Sequence, residues 1–154
     1  MRAAGLVYVA YFALSIAGAV LRNVPLQVAA TWFYFVVAVV LYRLFAPADP
    51  LVALALLPLA FIGCSLQAFG QVQADAGLLR LALVPFGLFL LVLGYLIARS
   101  AFAPVALGAL LAVAGIAWPM VVITAMPSWY AGVAIVLGIV AEGGLAIWLL
   151  IAGR

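Results

Sequence analysis

The chain has 154 residues, 73% of them hydrophobic, and only nine carry charge: Arg2, Arg22, Arg43, Arg80, Arg99, Arg154, Asp49, Asp75 and Glu142. Nine charges cannot clothe a water-soluble fold of this size, so lipid must cover most of its surface, and a net charge of +3 is too small and scattered for a nucleic-acid footprint. The missing residues narrow the chemistry further: no lysine means no Schiff base, no histidine removes the usual haem and zinc ligands, and the single Cys64 can form no disulfide within the chain.

Six apolar stretches follow one another, at about 3–21, 27–45, 50–69, 78–98, 104–126 and 129–152. Each has the ~17–25 residues that cross a bilayer at 1.5 Å per residue. Short polar or proline-bearing breaks separate them, and no connection exceeds about ten residues, so a single all-α, six-helix transmembrane bundle is expected, with no extramembrane domain. The first stretch starts at Arg2 and ends in Ala17-Gly18-Ala19, which resembles a cleavable signal peptide; it is read here as the first spanning helix. Its Tyr8, Tyr11, Ser15, Gly18 and Arg22 recur at three- and four-residue steps and form one inward-looking polar face. Tyr34, in the second stretch, lies at about the depth of Ser15.

Pro58, Pro85 and Pro119 fall inside the third, fourth and fifth stretches, where each removes a backbone hydrogen bond and tends to kink its helix. At the non-cytoplasmic end of the third and fourth, Ser65, Gln67, Gln71, Gln73 and Asp75, with Arg80, read as a solvated loop or as a shallow site or subunit contact. Pro50–Ile62 and Pro104–Ile116 agree at six of thirteen positions, an echo that a duplicated hairpin or chance in an Ala/Leu/Val-rich chain would produce. The fifth stretch carries Gly108, Ala112, Gly115 and Pro119 on one face, and the sixth carries Ala134, Gly138, Glu142 and Ala146. Such small-residue stripes let helices approach closely in lipid, which predicts packing of the fifth helix on the sixth.

Six crossings put both termini on one side. Arg2, Arg43, Arg99 and Arg154 accompany the termini and Arg22 and Arg80 lie opposite, so the positive-inside bias favours cytoplasmic termini. Trp32 and Trp129 near the opposite face and Trp148 near the cytoplasmic one fit interfacial anchors.

Glu142 is the only acid inside a long apolar run, and an ionisable group at such depth usually faces a bundle interior and often marks a pathway. No arginine matches its depth. Holding a glutamate protonated at pH 7 costs roughly 3.7 kcal/mol, whereas burying its unpaired anion costs tens in the idealised limit. The neutral acid is therefore expected, with Ser15 and Tyr34 as its hydrogen-bond partners. Either it donates one hydrogen bond across a helix contact and fixes packing, or it binds a proton or substrate.

Two strings carry a family resemblance. LGYLIARSAFAPVALGALLAVAG, from Leu93 to Gly115, resembles a Gly-Tyr-Leu, Arg-Ser, Pro, Leu-Gly pattern, and AEGGLAIWLLIAG, from Ala141 to Gly153, resembles a closing Glu-x-x-Leu-x-x-Trp-Leu-Leu pattern. The chain thus resembles a bacterial multi-pass membrane family catalogued as domain of unknown function four-three-eight-six, most specifically over its last three helices. Gly94, Tyr95, Arg99, Ser100, Pro104, Gly108, Glu142 and Trp148 match that pattern. The resemblance implies a bacterial inner-membrane setting and six helices, and carries no activity. The functional expectation is a non-enzymatic accessory or structural subunit, without cofactor or metal, that meets lipid and partner subunits or its own copies through small-residue faces. The alternative is a small proton-coupled transporter or channel centred on Glu142, which requires a cavity reaching that carboxyl group.

Overall fold

The computed structural model describes residues 1–101, 103–123 and 126–152, with the main chain alone at residue 128. Its helices are α1 (Arg2–Val20), α2 (Val24–Phe45), α3 (Pro50–Leu54), α4 (Leu56–Gln73), α5 (Ala76–Arg99), α6 (Val105–Met120) and α7 (Ser128–Ala152). α3 and α4 together make one apolar segment, Pro50–Gln73, so the described residues form six helical segments. Five are long and apolar enough to span a membrane, and α6, at 16 residues, is shorter. The chain is a multi-pass integral membrane protein. Arg154 and Gly153, used above in the arginine count and the closing motif, lie outside the described residues, as do 124–125 within the expected fifth stretch.

Polar residues at the breaks satisfy the first N–H groups of the helices that follow. The Asn23 side chain accepts from the Leu26 N–H at 3.0 Å, and that of Asp49 from Val52 at 3.1 Å. Asp75 accepts from Gly77 at 2.7 Å and from Leu78 at 3.2 Å. Two of the three acids are thereby helix caps, and Glu142 alone has other work. Pro58 lacks an N–H, and its ring crowds the carbonyl of residue 54, four positions back. The helix interrupts there, at Ala55, instead of running unbroken from residue 50. Pro85 sits within a continuous α5, whereas α6 ends one residue after Pro119, short of the expected residue 126.

The most extensive contact between helices is α5 on α6, followed by α4 on α5. A Cβ placed on Gly94 would lie 2.6 Å from the Gly108 carbonyl oxygen, and one on Gly108 would lie 2.7 Å from that of Gly94. The same reciprocity recurs seven residues along, where Gly87 and Gly115 each approach the other's carbonyl oxygen to 2.7 Å. Two glycine pairs in antiparallel register therefore let these backbones touch, as small residues do in lipid. The expected packing of α6 on α7 is present, but the small-residue face of α6 is committed to α5. α7 meets α6 through side chains of the latter instead: the Trp118 ring at Gly138 and Leu107 at Gly144.

Each crossing touches its two neighbours in sequence, and α1 also touches α7, so the six close into a ring. A Cβ on Gly5 would lie 2.8 Å from the Leu150 backbone nitrogen, which places both chain ends at one end of the bundle. The half of the ring nearest the termini is solid, filled by Tyr8, Leu41, Phe45, Leu56, Leu93, Leu111 and Leu149, all fully buried. The opposite half is not.

Gly94→Ala is expected to destabilise the protein by about 1–3 kcal/mol, because the new methyl meets backbone and not a flexible side chain. Thermal unfolding in mild detergent checks this, with Gly143→Ala, where a Cβ meets nothing within 4 Å, as the near-neutral control.

Candidate functional site

The hollow half holds a cavity of about 460 Å³ to which α1, α2, α4, α5, α6 and α7 all contribute. Glu142 forms part of its wall, on the border with the solid half, and is only 3% exposed. Its place on α7 follows from the four-residue spacing of Ala134, Gly138, Glu142 and Ala146, three of which are small enough to let neighbouring helices close over that face.

Two phenols reach Glu142 from other helices. Tyr8 on α1 donates to Oε1 at 2.7 Å, and Tyr34 on α2 donates to the same oxygen at 2.5 Å. The expected pairing with Tyr34 is therefore present, and the expected pairing with Ser15 is not. Ser15 is seven residues beyond Tyr8, about 10 Å farther along the axis at 1.5 Å per residue, and its hydroxyl ends one bond past Cβ. It instead lines the cavity, half-buried, together with Tyr11. Tyr8 belongs to the inward face that the spacing of α1 marks; the length of the phenol lets it serve a carboxyl group that depth-matching of backbones assigns to Ser15.

The direction of these bonds also differs from expectation: Glu142 accepts twice where it was expected to donate once. Both bonds fall on Oε1, which leaves Oε2 without a protein partner. Among the described residues no buried side-chain nitrogen or oxygen lacks a partner. Oε2 must then keep accessible surface, and the cavity is the space that Glu142 faces. A proton taken up by this carboxyl group while both phenols donate sits on Oε2, toward the cavity. Among the described residues no arginine forms an ion pair with it.

Aromatic rings make much of the remaining wall. The Tyr34 ring stands edge-on to Phe86, centroids 5.3 Å apart, and Phe86 stands edge-on to Trp118 at 6.4 Å. The Trp118 indole N–H donates to the Ala134 carbonyl at 2.8 Å, and the ring fills the notch left by Gly138. Sequence reasoning passed over Trp118; its signal is a tryptophan well inside an expected span, away from the interfaces where tryptophans anchor.

The polar cluster at the end of α4 resolves into separate tasks. Asp75 caps α5, the Gln71 side-chain oxygen accepts from the Thr31 hydroxyl at 3.1 Å, Ser65 bonds back to the Phe61 carbonyl at 2.8 Å, and Gln67 lines the cavity. Cys64 is fully buried with its thiol on the Thr31 carbonyl at 3.1 Å. No group of metal-ligating side chains occurs among the described residues.

The family-pattern residues other than Glu142 do not gather here. Gly94 and Gly108 are the α5–α6 contact, the Arg99 guanidinium lies 6.0 Å from the Tyr95 ring centroid, the buried Ser100 hydroxyl donates to the Ile97 carbonyl at 2.8 Å, and Pro104 opens α6. Trp148 packs on the core. These positions build the α5–α6 hairpin and its seat, and Glu142 is the one that reaches the cavity.

Tyr8→Phe and Tyr34→Phe are each expected to cost about 1–2 kcal/mol, the worth of a buried hydrogen bond to an acidic group, while Ser15→Ala stays near neutral. Thermal unfolding of the three variants distinguishes the phenol pair from the serine.

No curated protein and no solved structure matches the chain. A family model does: it covers residues 71–153, from the end of α4 through α7, with Glu142 inside the matched segment and Tyr8 and Tyr34 outside it. The glycine-locked hairpin and the helix that carries the buried acid thus fall within one family match, and the chain belongs to the domain of unknown function family DUF4386.

Proposed function

We propose that this membrane protein is a small non-enzymatic carrier, its termini cytoplasmic, that takes a bilayer-soluble solute into the cavity and exchanges a proton at Glu142. The observation that carries this reading is Glu142 in the wall of a cavity large enough for a small organic molecule, with both phenols on its Oε1. A carboxyl group that only fixed packing would have both oxygens enclosed by protein, since an unmet buried acceptor costs stability. The chemistry available is proton transfer and ion or hydrogen-bond pairing at one oxygen. Among the described residues no second acid and no arginine accompanies it on the cavity wall, whose other polar groups are Tyr11, Ser15, Tyr34 and Gln67.

Dicyclohexylcarbodiimide, an apolar reagent that adds to protonated carboxyl groups, tests this in proteoliposomes. Mass spectrometry is expected to find the adduct on Glu142, formed more slowly as pH rises because the reagent needs the acid's proton, and absent in Glu142→Gln. An unlabelled Glu142 in the folded protein counts against the reading.

A second reading, an accessory subunit of a larger membrane complex, is favoured by the outward surface of α7. Positions Gly132 and Gly143 have nothing within 4 Å of a Cβ, and Val136 and Val140 between them are exposed, leaving an apolar face with two small notches open to another helix. Purification in mild detergent then brings stoichiometric partner chains, and Gly143→Leu releases them; isolation of this chain alone removes that role.

A further inference from the structure

The wall of the cavity specifies more than a solute. Five aromatic residues line it, Tyr11, Phe12, Tyr34, Phe86 and Trp118, together with one acid and no arginine. Ring faces are negative and attract cations, most strongly where water is excluded. A cation in an apolar site also needs a counter-charge, since desolvating it alone is prohibitive. Oε2 supplies that charge when deprotonated. An anion would meet the same oxygen as a repulsion, with no base to hold it.

The way in is marked by a second set of residues. The antiparallel register set where Gly5 meets Leu150 puts Ile16 of α1 level with Ile139 of α7. Both line the cavity, yet Ile16 is 61% and Ile139 51% exposed. Side chains that face both the interior and the outside border an opening between the two helices. Isoleucine on both sides suits acyl chains and not water, so the opening admits molecules already dissolved in the bilayer.

From these observations, and resting on the carrier reading above, we infer that the ligand is a lipophilic monocation, entering from the bilayer between α1 and α7 and pairing its charge with Glu142 Oε2 in place of a proton. Proton and cation compete for one oxygen, so affinity rises with pH and levels off once the carboxyl group is ionised. The titratable groups facing Glu142 from its neighbours are Tyr8 and Tyr11 on α1 and Tyr34 on α2, and α4 turns the neutral Gln67 to the cavity; α5 and α6 turn only Leu79, Ala82, Leu83, Phe86 and Trp118 toward it.

The experiment uses the full chain in lipid nanodiscs, empty nanodiscs as background, and three probes of similar shape: tetraphenylphosphonium, neutral triphenylphosphine oxide and tetraphenylborate. The expected result is saturable binding of tetraphenylphosphonium that strengthens with pH, weak pH-independent binding of the neutral probe and none of the anion. Glu142→Gln lowers tetraphenylphosphonium affinity on the order of tenfold or more and flattens its pH dependence. Should that variant fail to fold, the pH profile of the unaltered protein decides. Equal, pH-independent binding of the cation and the neutral probe overturns the charge selection and leaves the carrier reading standing; binding of none of the three overturns both. Ile16→Trp, a change on the lipid-facing rim, is expected to slow association several-fold, and an unchanged rate overturns the route between α1 and α7.

Discussion

A carboxyl group at mid-depth without a cation has to be met by dipoles, and that requirement organises the interior. Tyr8 and Tyr34 come from two different helices to one oxygen of Glu142 on a third. None of these groups could be left alone in hydrocarbon, where an unmet polar atom costs more than in a water-soluble core. The three helices are therefore held in one angular arrangement by a polar contact, in a setting where apolar packing against lipid supplies little preference. Because both phenols use the same oxygen, the arrangement is satisfied structurally while half of the carboxyl group stays available.

The rest of the ring divides the task of stability differently. Below Glu142 toward the termini, large side chains such as Phe45 and Phe89 fill the centre completely. On the other side of it, the Tyr34, Phe86 and Trp118 rings pack edge-to-face with one another along the wall of an open space. The α5–α6 hairpin compensates: its two glycine pairs bring backbones into contact, where each approach gains dispersion and weak Cα–H···O attraction. A rigid wall on one flank lets the other half of the interior remain open.

The sequence makes the helices, the caps and the singular acid legible, because each depends on local residue types: apolar length for the spans, Asn23, Asp49 and Asp75 for the helix starts, and a lone charge for Glu142. Tyr34 could also be found, since counting residues fixes depth. Tyr8 and Trp118 could not be found in that way. Their functional atoms lie several ångströms from their own backbones, so depth along a helix does not say what a ring will reach. The packing of α6 on α7 was legible, but the use of its small-residue face was not: α5 and α7 both offer small residues, and the choice falls to the heptad match of Gly87 and Gly94 with Gly115 and Gly108, a property of two helices at once. The cavity is a failure of side chains to fill space, and no single position encodes it.

A ring assembled from hairpins contains one joint unlike the others. Five of its six contacts unite helices consecutive in the chain, each restrained by a short connection, whereas α1 and α7 are held together without one. Separating that pair stretches no loop; the close approach of Gly5 to the Leu150 backbone holds its terminal end, and toward the residue-20 end it parts mainly aliphatic groups. The barrel consequently has a zip and not a set of equal staves. Motion that widens it concentrates at that seam, with the tyrosine–glutamate clasp as the catch that stops the parting short of the termini.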